Sequence, residues 1–295
     1  MSKQKIKQLI EDKVQGDGMF ETGIKGVKLF RETRSIHCTP VIYEPAVIAI
    51  LGGAKEAILD GKRYDYDHSQ YMCCSISMPV EAGAPKASPE NPLLGVYISL
   101  DTKVMSALAM EIGSATTSSP KQPKGLVAPG IALAHWNDEF SESLLRLLQL
   151  TYNSKACAVL GNGRLRELYY AVLTGEAGDS AMRAFGVGNE ITRAIDYLTS
   201  NIDQTVSIDD MASLVGMSRA VLHRKFKQAT MMSPIQFVKS LRLNSAAMKL
   251  TEGMNVSRAA LEVGYESSSQ FSREFKRMFG QSPKQWSQSH LHLTQ

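Results

Sequence analysis

A repeat in the last hundred residues constrains the fold of this chain more than any other feature of its sequence. When residues 218–236 are aligned with residues 267–285, at an offset of 49, seven positions are identical. The identical pairs are Ser218/Ser267, Arg224/Arg273, Phe226/Phe275, Lys227/Lys276, Ser233/Ser282, Pro234/Pro283 and Gln236/Gln285. Just upstream the offset becomes 48, so the second copy has one extra residue in its turn. Such a repeat predicts two copies of one supersecondary unit.

Each copy has the sequence pattern of a helix-turn-helix unit. In the first copy Ser207 begins a short helix, Gly216 supplies the turn, and Ser218 caps the next helix. In the second copy Gly264 and Ser267 take the same two roles. Serine suits these positions because its hydroxyl accepts a hydrogen bond from an unpaired N–H of the first helical turn. The pattern predicts an all-α domain with tandem helix-turn-helix units.

The second helix of each unit has an apolar face and a polar face. Leu222 with Phe226, and Phe271 with Phe275, are spaced for core contacts one turn apart. The opposite faces carry Arg219, Ala220, His223, Arg224 and Lys227 in the first copy and Ser268, Ser269, Gln270, Arg273 and Lys276 in the second. Arginine bonds bidentately to guanine, glutamine to adenine, and lysine to phosphate. These faces predict contact with the major groove of double-stranded DNA.

The distribution of charge also indicates a nucleic-acid partner. The formal net charge is +4, and residues 1–189 contain 20 Lys and Arg against 20 Asp and Glu. From Val215 onward the chain has 12 basic against 4 acidic residues. This local excess is typical of a surface that faces a polyphosphate. The alternative, a pair of solvated helices in another all-α module, is disfavoured because the repeat, the turn glycines, the caps and the charge all agree.

The segment between the two copies predicts a connecting helix. Residues 234–250 read as one helix of about 17 residues, which at 1.5 Å per residue spans about 25 Å. A strut of this length could hold two recognition helices near one DNA turn apart, about 34 Å, on the same face of the duplex.

The first part of the chain predicts a β-rich domain. Short runs rich in Val, Ile, Leu and Tyr lie at 27–31, 41–44, 46–51, 55–59, 70–78 and 95–100. Asp60 and Gly61 stand between two such runs and predict a type I′ hairpin, since both residues tolerate positive φ. Many short strands at this spacing favour a sandwich or a small barrel.

After Asp101 the apolar spacing becomes helical. Residues 138–153 place a wide apolar stripe on one helix: Phe140, Leu144, Leu147, Leu148 and Thr151. Either this stripe packs on its own barrel or it pairs with a second copy of the chain. The domain boundary is expected near 186–188, so that residues 1–185 form the first domain and 186–295 the second.

The repeat region resembles a known family along about 100 residues. The segments GMSRAVLHRKFKQATMMSP and VGYESSSQFSREFKRMFGQSP are similar to the paired helix-turn-helix domain of the AraC/XylS family of bacterial transcriptional regulators. The resemblance implies that the second helix of each unit enters consecutive major-groove segments of one half-site. It assigns base contacts to Ala220, His223 and Arg224, and to Ser268, Ser269, Gln270 and Arg273. The first copy departs from the family pattern where TMMSP lacks the glycine of FGQSP.

The first half is similar to the N-terminal domain of one AraC-type subgroup. The segments LFRET, PVIYEP, ASPENP and SLD occur in family order between residues 24 and 101. The resemblance implies a cupin-like barrel that senses an effector or mediates dimerisation. The predicted fold class is therefore α+β, with an N-terminal small β-barrel and appended helices followed by an all-α tandem helix-turn-helix domain.

A cupin-like fold raises the hypothesis of a metal enzyme, and the sequence argues against it. A metal site needs two or three imidazoles or carboxylates that converge on one ion. His37, His68 and His135 are instead scattered singly. The chain also lacks a nucleophile elbow, a phosphate-binding loop and a dinucleotide fingerprint. We therefore expect no enzyme activity, no catalytic residue, no metal and no cofactor.

Four residues are candidates for an effector pocket in the barrel: His68, Tyr71, Cys73 and Cys74. Neighbouring side chains on a strand point to opposite faces, so one of the two sulfurs can face the interior. A thiol there could sense electrophiles or oxidants if its thiolate is stabilised. The alternative is that both cysteines are inert buried side chains and that His68 and Tyr71 have surface or core roles.

Together these features predict a cytoplasmic transcriptional regulator without a membrane span. Its expected partners are double-stranded promoter DNA, a small-molecule effector of unknown identity, RNA polymerase and a second copy of the chain in a homodimer. An effector or signal at the barrel would control DNA binding. The alternative is a ligand-independent regulator whose first domain serves only dimerisation or protein contact.

Overall fold

The chain divides into two compact units in the computed structural model, which describes residues 2–115, 129–186 and 189–290. The first unit comprises residues 1–38, 43–76 and 82–189, and the second comprises 39–42, 77–81 and 190–295. Residues 187 and 188, at the expected domain boundary, lie outside the described residues.

The described residues form ten strands in two sheets. The strands are β1 (Gly18–Glu21), β2 (Val27–Glu32), β3 (Ile36–Tyr43), β4 (Ala46–Gly52), β5 (Ala54–Leu59), β6 (Lys62–Asp67), β7 (Gln70–Cys74), β8 (Met78–Ala84), β9 (Leu93–Ser99) and β10 (Ile131–His135). One sheet has the order β1-β2-β9-β4-β7-β10 and the other β3-β8-β5-β6. The predicted β-rich character of this half is confirmed.

The hairpin predicted from sequence is present. Asp60 and Gly61 have φ values of 47° and 78°, and the two-residue turn joins β5 to β6 in antiparallel register. This register places Lys55 opposite Tyr66. The run predicted as one strand at 70–78 instead divides into β7 and β8, because the chain leaves the first sheet after Cys74.

Helices cover one face of the six-stranded sheet. They are α1 (Ser2–Lys13), α2 (Thr102–Ala115), α3 (Asp138–Gln149), α4 (Ser154–Thr174) and α5 (Gly178–Phe185), with a 3-10 turn at Leu150–Tyr152. The ring of Tyr71 on β7 stacks on Phe140 of α3, with centroids 4.1 Å apart. β4 is buried along nearly its whole length because side chains cover both of its faces.

The apolar stripe of α3 is buried within its own unit. Four of the five predicted residues, Phe140, Leu144, Leu147 and Leu148, are inaccessible to solvent, whereas Thr151 lies beyond the end of α3 and is half-buried. The structure therefore shows the first of the two alternatives, in which the stripe packs on its own barrel. The Asn137 side chain caps the helix by accepting a hydrogen bond from the N–H of Phe140.

The second unit contains seven helices among its described residues. They are α6 (Glu190–Ser200), α7 (Ile208–Leu214), α8 (Arg219–Thr230), α9 (Pro234–Thr251), α10 (Val256–Glu262), α11 (Ser268–Phe279) and α12 (Pro283–His290). The helix pairs α7/α8 and α10/α11 are the two predicted helix-turn-helix units. The predicted strut is α9, whose 18 residues span about 27 Å.

The core of the second unit repeats the sequence offset in three dimensions. The rings of Phe226 and Phe237 meet edge to face, with centroids 5.2 Å apart. At the positions 49 residues later, Phe275 and Trp286 meet in the same way at 5.8 Å. The identical pairs found in the sequence therefore mark equivalent positions in two similar helical cores.

Candidate functional site

The starts of α8 and α11 are fixed by equivalent serine caps. The hydroxyls of Ser218 and Ser267 each accept a hydrogen bond from the backbone N–H three residues further on, at 3.4 and 3.3 Å. The turns before them contain Gly216 and Gly264, with φ of 67° and 81°. These local signals set where each second helix begins, and thus which of its residues lie at its N-terminal end.

The structure exposes every residue that the sequence predicts to contact DNA. The exposed set comprises Arg219, Ala220, His223, Arg224 and Lys227 on α8 and Ser268, Ser269, Gln270, Arg273 and Lys276 on α11. The apolar partners on the opposite faces, such as Phe226 and Phe275, are inaccessible to solvent. Each recognition helix therefore presents one polar face to its surroundings, and we call these the α8 face and the α11 face.

Most cations on these faces carry no internal counter-ion. Among the described residues, Arg224, Lys227, Arg273 and Lys276 form no ion pair or side-chain hydrogen bond. Arg219 lies 3.7 Å from Asp209, but both side chains are mostly exposed, so this pair is weak. Cations without internal partners remain available to neutralise phosphates or to bond to base edges.

The acidic residue of α11, Glu274, is engaged by three neighbouring side chains. Glu274 accepts hydrogen bonds from Tyr265 at 2.9 Å and Gln270 at 3.4 Å, and its carboxylate lies 3.2 Å from Lys239. Burial opposes ionisation of Glu274, but these hydrogen bonds and the lysine outweigh it and lower its pKa. The ion pair with Lys239 offsets the negative charge of this carboxylate.

The four candidate pocket residues are not brought together in one pocket. His68 lies on an exposed turn, and its carbonyl accepts a hydrogen bond from Lys3. Tyr71 and Cys73 share the face of the sheet that packs on the helices, as the stacking with Phe140 shows. Cys74 points to the other face, towards the second sheet, as expected from strand alternation.

Both cysteines are inaccessible to solvent. Burial raises the pKa of Cys73 to about 12 and raises that of Cys74 further. The thiol of Cys74 also donates to the carbonyl of Ile76 at 3.1 Å. Because the thiolate is the reactive form, these environments favour the inert alternative over a reactive sensor.

Sequence reasoning missed a polar group inside the first unit. Lys55 on β5 lies near the rings of Phe30 and Tyr43, and its register partner Tyr66 has a buried hydroxyl. The Asp60-Gly61 hairpin could have predicted that Lys55 and Tyr66 share a face of the sheet. It could not have shown that this face is the interior one.

Other kinds of site have little support in the part of the chain that is described. Within residues 2–115, 129–186 and 189–290, no three His, Cys, Asp or Glu side chains are grouped so that they could hold a metal ion. Within the same ranges, no helix is both long enough and apolar enough to cross a membrane.

Two protein families match this chain. The family described as "AraC-type transcriptional regulator N-terminus" matches residues 23–180, more than half of the chain. The family described as "Helix-turn-helix domain" matches residues 211–289. The second match spans both helix-turn-helix units and confirms that motif.

Individual relatives agree with these matches. The chain is 24% identical to the HTH-type transcriptional regulator ArgR of Pseudomonas aeruginosa over 290 residues, which covers 86% of this chain and 85% of ArgR. It is 30% identical over 138 residues to the raffinose operon transcriptional regulatory protein RafR of Pediococcus pentosaceus, covering 46% of this chain and 50% of RafR. The chain thus spans about half the length of that second relative.

Solved structures show the same fold. An apo form of a single-residue variant of ToxT from Vibrio cholerae superposes with a TM-score of 0.56, covering 89% of this chain and 97% of ToxT at 13% identity. A structure of wild-type ToxT with a bound unsaturated fatty acid gives a TM-score of 0.54, covering 93% and 97% of the two chains at 13% identity. The fold class predicted from the sequence is confirmed.

Proposed function

The chain belongs to the family of AraC-type transcriptional regulators and is a DNA-binding protein, and on this premise we propose that the α8 and α11 faces read two successive major grooves of promoter DNA. The observation that carries the proposal is the equivalence of the two helices. Each begins at a serine cap and buries a phenylalanine, Phe226 or Phe275, on its inner face. Each also exposes an arginine and a lysine without an internal partner, which are Arg224 and Lys227 on α8 and Arg273 and Lys276 on α11. In this proposal residues 186–295 form the DNA-binding domain.

The exposed side chains have different roles in the proposal. Arg224 and Arg273, at equivalent positions, read bases through bidentate bonds to guanine. Lys227 and Lys276, one turn later, contact phosphates and position the helices without reading sequence. The small or polar residues near the helix starts, Ala220, His223, Ser268, Ser269 and Gln270, contact the remaining base edges in this proposal.

The first unit, residues 1–185 in this proposal, controls DNA binding through an effector or signal. The support is the fold that it shares with ToxT, for which a structure with a bound unsaturated fatty acid is known. An effector can change DNA affinity only if it binds one arrangement of the protein better than another. A ligand-independent regulator, whose first unit only dimerises or contacts another protein, is the alternative.

The remaining partners follow from this role. A regulator of promoter DNA acts where the chromosome is, so the proposal places the protein in the cytoplasm. It acts as a homodimer, with RNA polymerase as a further partner and with no enzymatic step of its own. The reactive-cysteine hypothesis is not part of the proposal, because both thiols are inaccessible to solvent with raised pKa values.

Selection from genomic DNA tests the DNA-reading proposal. The purified full-length protein is incubated with sheared DNA of its source organism at two salt concentrations, and the retained fragments are sequenced. The expected result is a discrete motif that persists at the higher salt, with half-sites that span two successive major grooves. The matched control is the Arg224→Ala, Arg273→Ala double variant, which should retain only salt-sensitive fragments without a motif. Identical motifs from both proteins would refute base reading by these arginines.

A further inference from the structure

A lysine of the first unit points into the space between the two sheets. The register of β5 and β6 places Lys55 on the same face as Ala57, Leu59 and Tyr66, and these three neighbours are buried. The Nζ atom of Lys55 lies 5.5 Å from the ring centroid of Phe30, which belongs to the other sheet. Lys55 as a whole residue is half-buried.

The charge of Lys55 is not balanced by any carboxylate of the described chain. Its contacts are cation-π contacts with Phe30 and Tyr43, at 5.5 and 5.7 Å from the ring centroids. The adjacent Glu56 points to the opposite face, where its carboxylate pairs with Arg63 at 3.2 Å. Burial without a compensating anion lowers the pKa of Lys55 to about 8. A positive charge in this position would be stabilised by an anion that the protein does not supply.

Unsatisfied hydroxyls surround the same space. Tyr43 and Tyr66 are 8% and 2% exposed, and their buried hydroxyls have no hydrogen-bond partner in the described structure. Burial raises the pKa of both phenols, and a weak mutual side-chain hydrogen bond contributes, although its geometry falls outside the usual limits of a hydrogen bond. A buried donor without an acceptor is destabilising, so such groups often mark a missing partner.

Apolar side chains form the wall of this space. Phe30, Ile48, Met72 and Cys74 are buried and belong to the face of the six-stranded sheet that is turned towards Lys55. Gly95 lies directly beneath the Phe30 ring, where an added Cβ would overlap the ring. The interior thus combines the ammonium of Lys55 and the two hydroxyls of Tyr43 and Tyr66 with an apolar surface around them.

We propose that the interior of the first unit binds a small organic monocarboxylate, with its carboxylate held by Lys55 and the hydroxyls of Tyr43 and Tyr66 and its apolar body against Phe30, Ile48 and Met72. One ammonium and two phenolic donors match the charge and the acceptors of a single carboxylate. A dianion such as phosphate would keep one uncompensated charge in a desolvated site, which is unfavourable. This proposal names the effector class of the proposed function and rests on it.

Ligand binding to the full-length protein tests the site. The probes are acetate, benzoate and octanoate, each compared with its neutral amide and with inorganic phosphate, and binding is measured by calorimetry and by the shift in melting temperature. At least one monocarboxylate should bind, and its amide should bind about tenfold or more weakly because a charged hydrogen bond is lost. Equal binding of acid and amide, tighter binding of phosphate, or no binding by any of the three acids would overturn the proposal.

Matched variants locate the bound carboxylate. Lys55→Met removes the charge but keeps the length of the side chain, and it should weaken binding about tenfold or more. The control is Lys62→Met on β6, an exposed lysine that also lies over a tyrosine ring and should leave binding unchanged. Tyr43→Phe and Tyr66→Phe should each weaken binding with little change in the melting temperature of the ligand-free protein, because neither hydroxyl makes a hydrogen bond of ordinary geometry. Unchanged affinity in Lys55→Met would place the ligand elsewhere.

A DNA-binding measurement on the same samples separates this proposal from the function on which it rests. Lys55→Met should bind operator DNA as the wild type does in the absence of acid, and should no longer respond to the acid. If the acid binds through Lys55 but leaves DNA affinity unchanged, the site is correct and effector control through it is wrong. If sequence-specific DNA binding is absent in every sample while the acid binds, the DNA-reading proposal fails and the carboxylate site remains.

Discussion

The two helix-turn-helix units have the same backbone but differ in the residues that maintain it. In both units the recognition helix ends in a left-handed residue, with φ of 64° at Met231 and 76° at Gly280. The N–H of each donates to the carbonyl four residues earlier, at 2.9 Å. The left-handed conformation costs a residue with a Cβ about 1–2 kcal/mol. The comparison teaches that packing of the unit imposes this helix end even where the sequence lacks the favourable glycine.

The second helix-turn-helix unit is more heavily packed than the first. Phe226 of the first helix-turn-helix unit meets one aromatic ring, that of Phe237. Its counterpart Phe275 meets three rings: Phe271, Phe279 and Trp286. The turn glycine is also more crowded in the second helix-turn-helix unit. A Cβ at Gly264 would lie 2.6 Å from the carbonyl oxygen of Asp203, whereas a Cβ at Gly216 would meet open space.

The exposed faces of the two units differ in charge. The α8 face carries Arg219, Arg224 and Lys227 together with His223, whereas the α11 face has serines and Gln270 beside its arginine and lysine. Cations contribute affinity that falls with salt, and directional amide and hydroxyl groups contribute base readout. We therefore expect the α8 face to supply more of the phosphate attraction and the α11 face more of the hydrogen-bonded specificity.

The largest expected effect tests the difference in packing. Phe275→Ala should lower the free energy of unfolding of the second unit by about 3–5 kcal/mol, because it leaves a cavity among three rings. Phe226→Ala should cost less, about 3 kcal/mol, because it loses one ring contact. Urea denaturation followed by circular dichroism measures both losses of stability. Equal losses would show that the extra aromatic contacts of the second helix-turn-helix unit add no stability.

The turn glycines provide the next test. Gly264→Ala should lower the free energy of unfolding by about 2–3 kcal/mol, because the added methyl group meets the Asp203 carbonyl in a strained backbone. Gly216→Ala is the matched control and should cost only about 1 kcal/mol, from its positive φ alone. Thermal unfolding of the two variants checks the difference, and a larger loss at Gly216 would contradict the crowding at the second turn.

DNA binding tests the division of roles on the exposed faces. Arg224→Ala and Arg273→Ala should each cost about 1–3 kcal/mol on cognate DNA and relax sequence preference, because each removes a bidentate base contact. Lys227→Ala should weaken binding to cognate and random DNA alike and lower the salt slope by about one. Titrations on both DNAs over a range of salt measure these effects. An equal loss on the two DNAs for Arg224→Ala would assign that arginine to a phosphate.

The smallest effect concerns the helix ends. Met231→Gly should raise the free energy of unfolding by about 0.5–1 kcal/mol, since relief of the left-handed strain exceeds the entropy that glycine adds to the unfolded chain. The reverse change, Gly280→Met, should lower it by a similar amount. Chemical denaturation of the pair measures both signs, and a loss of stability in Met231→Gly would mean that the methionine side chain contributes packing that outweighs its strain.

Much of the second unit could be predicted from the sequence because its signals are local. The caps Ser218 and Ser267 and the turn at Gly264 act within a few residues of their own position. The extent of α9 was predicted to within one residue for the same reason. The exposed faces followed, because helical periodicity separates them from the buried aromatics without reference to any other part of the chain.

The sequence by itself thus determined the repeat, the hairpin at Asp60-Gly61, the fold class and the family. Only the tertiary structure decided that the α3 stripe packs inside its own unit, that β10 joins β7 across the intervening chain, and that Lys55 faces the interior. These features depend on which distant segments pair and which side of a sheet is covered. The alternation of side chains along a strand and the register fixed by its turn define the two faces of the strand. Only the packing of the second sheet makes one of these faces the interior.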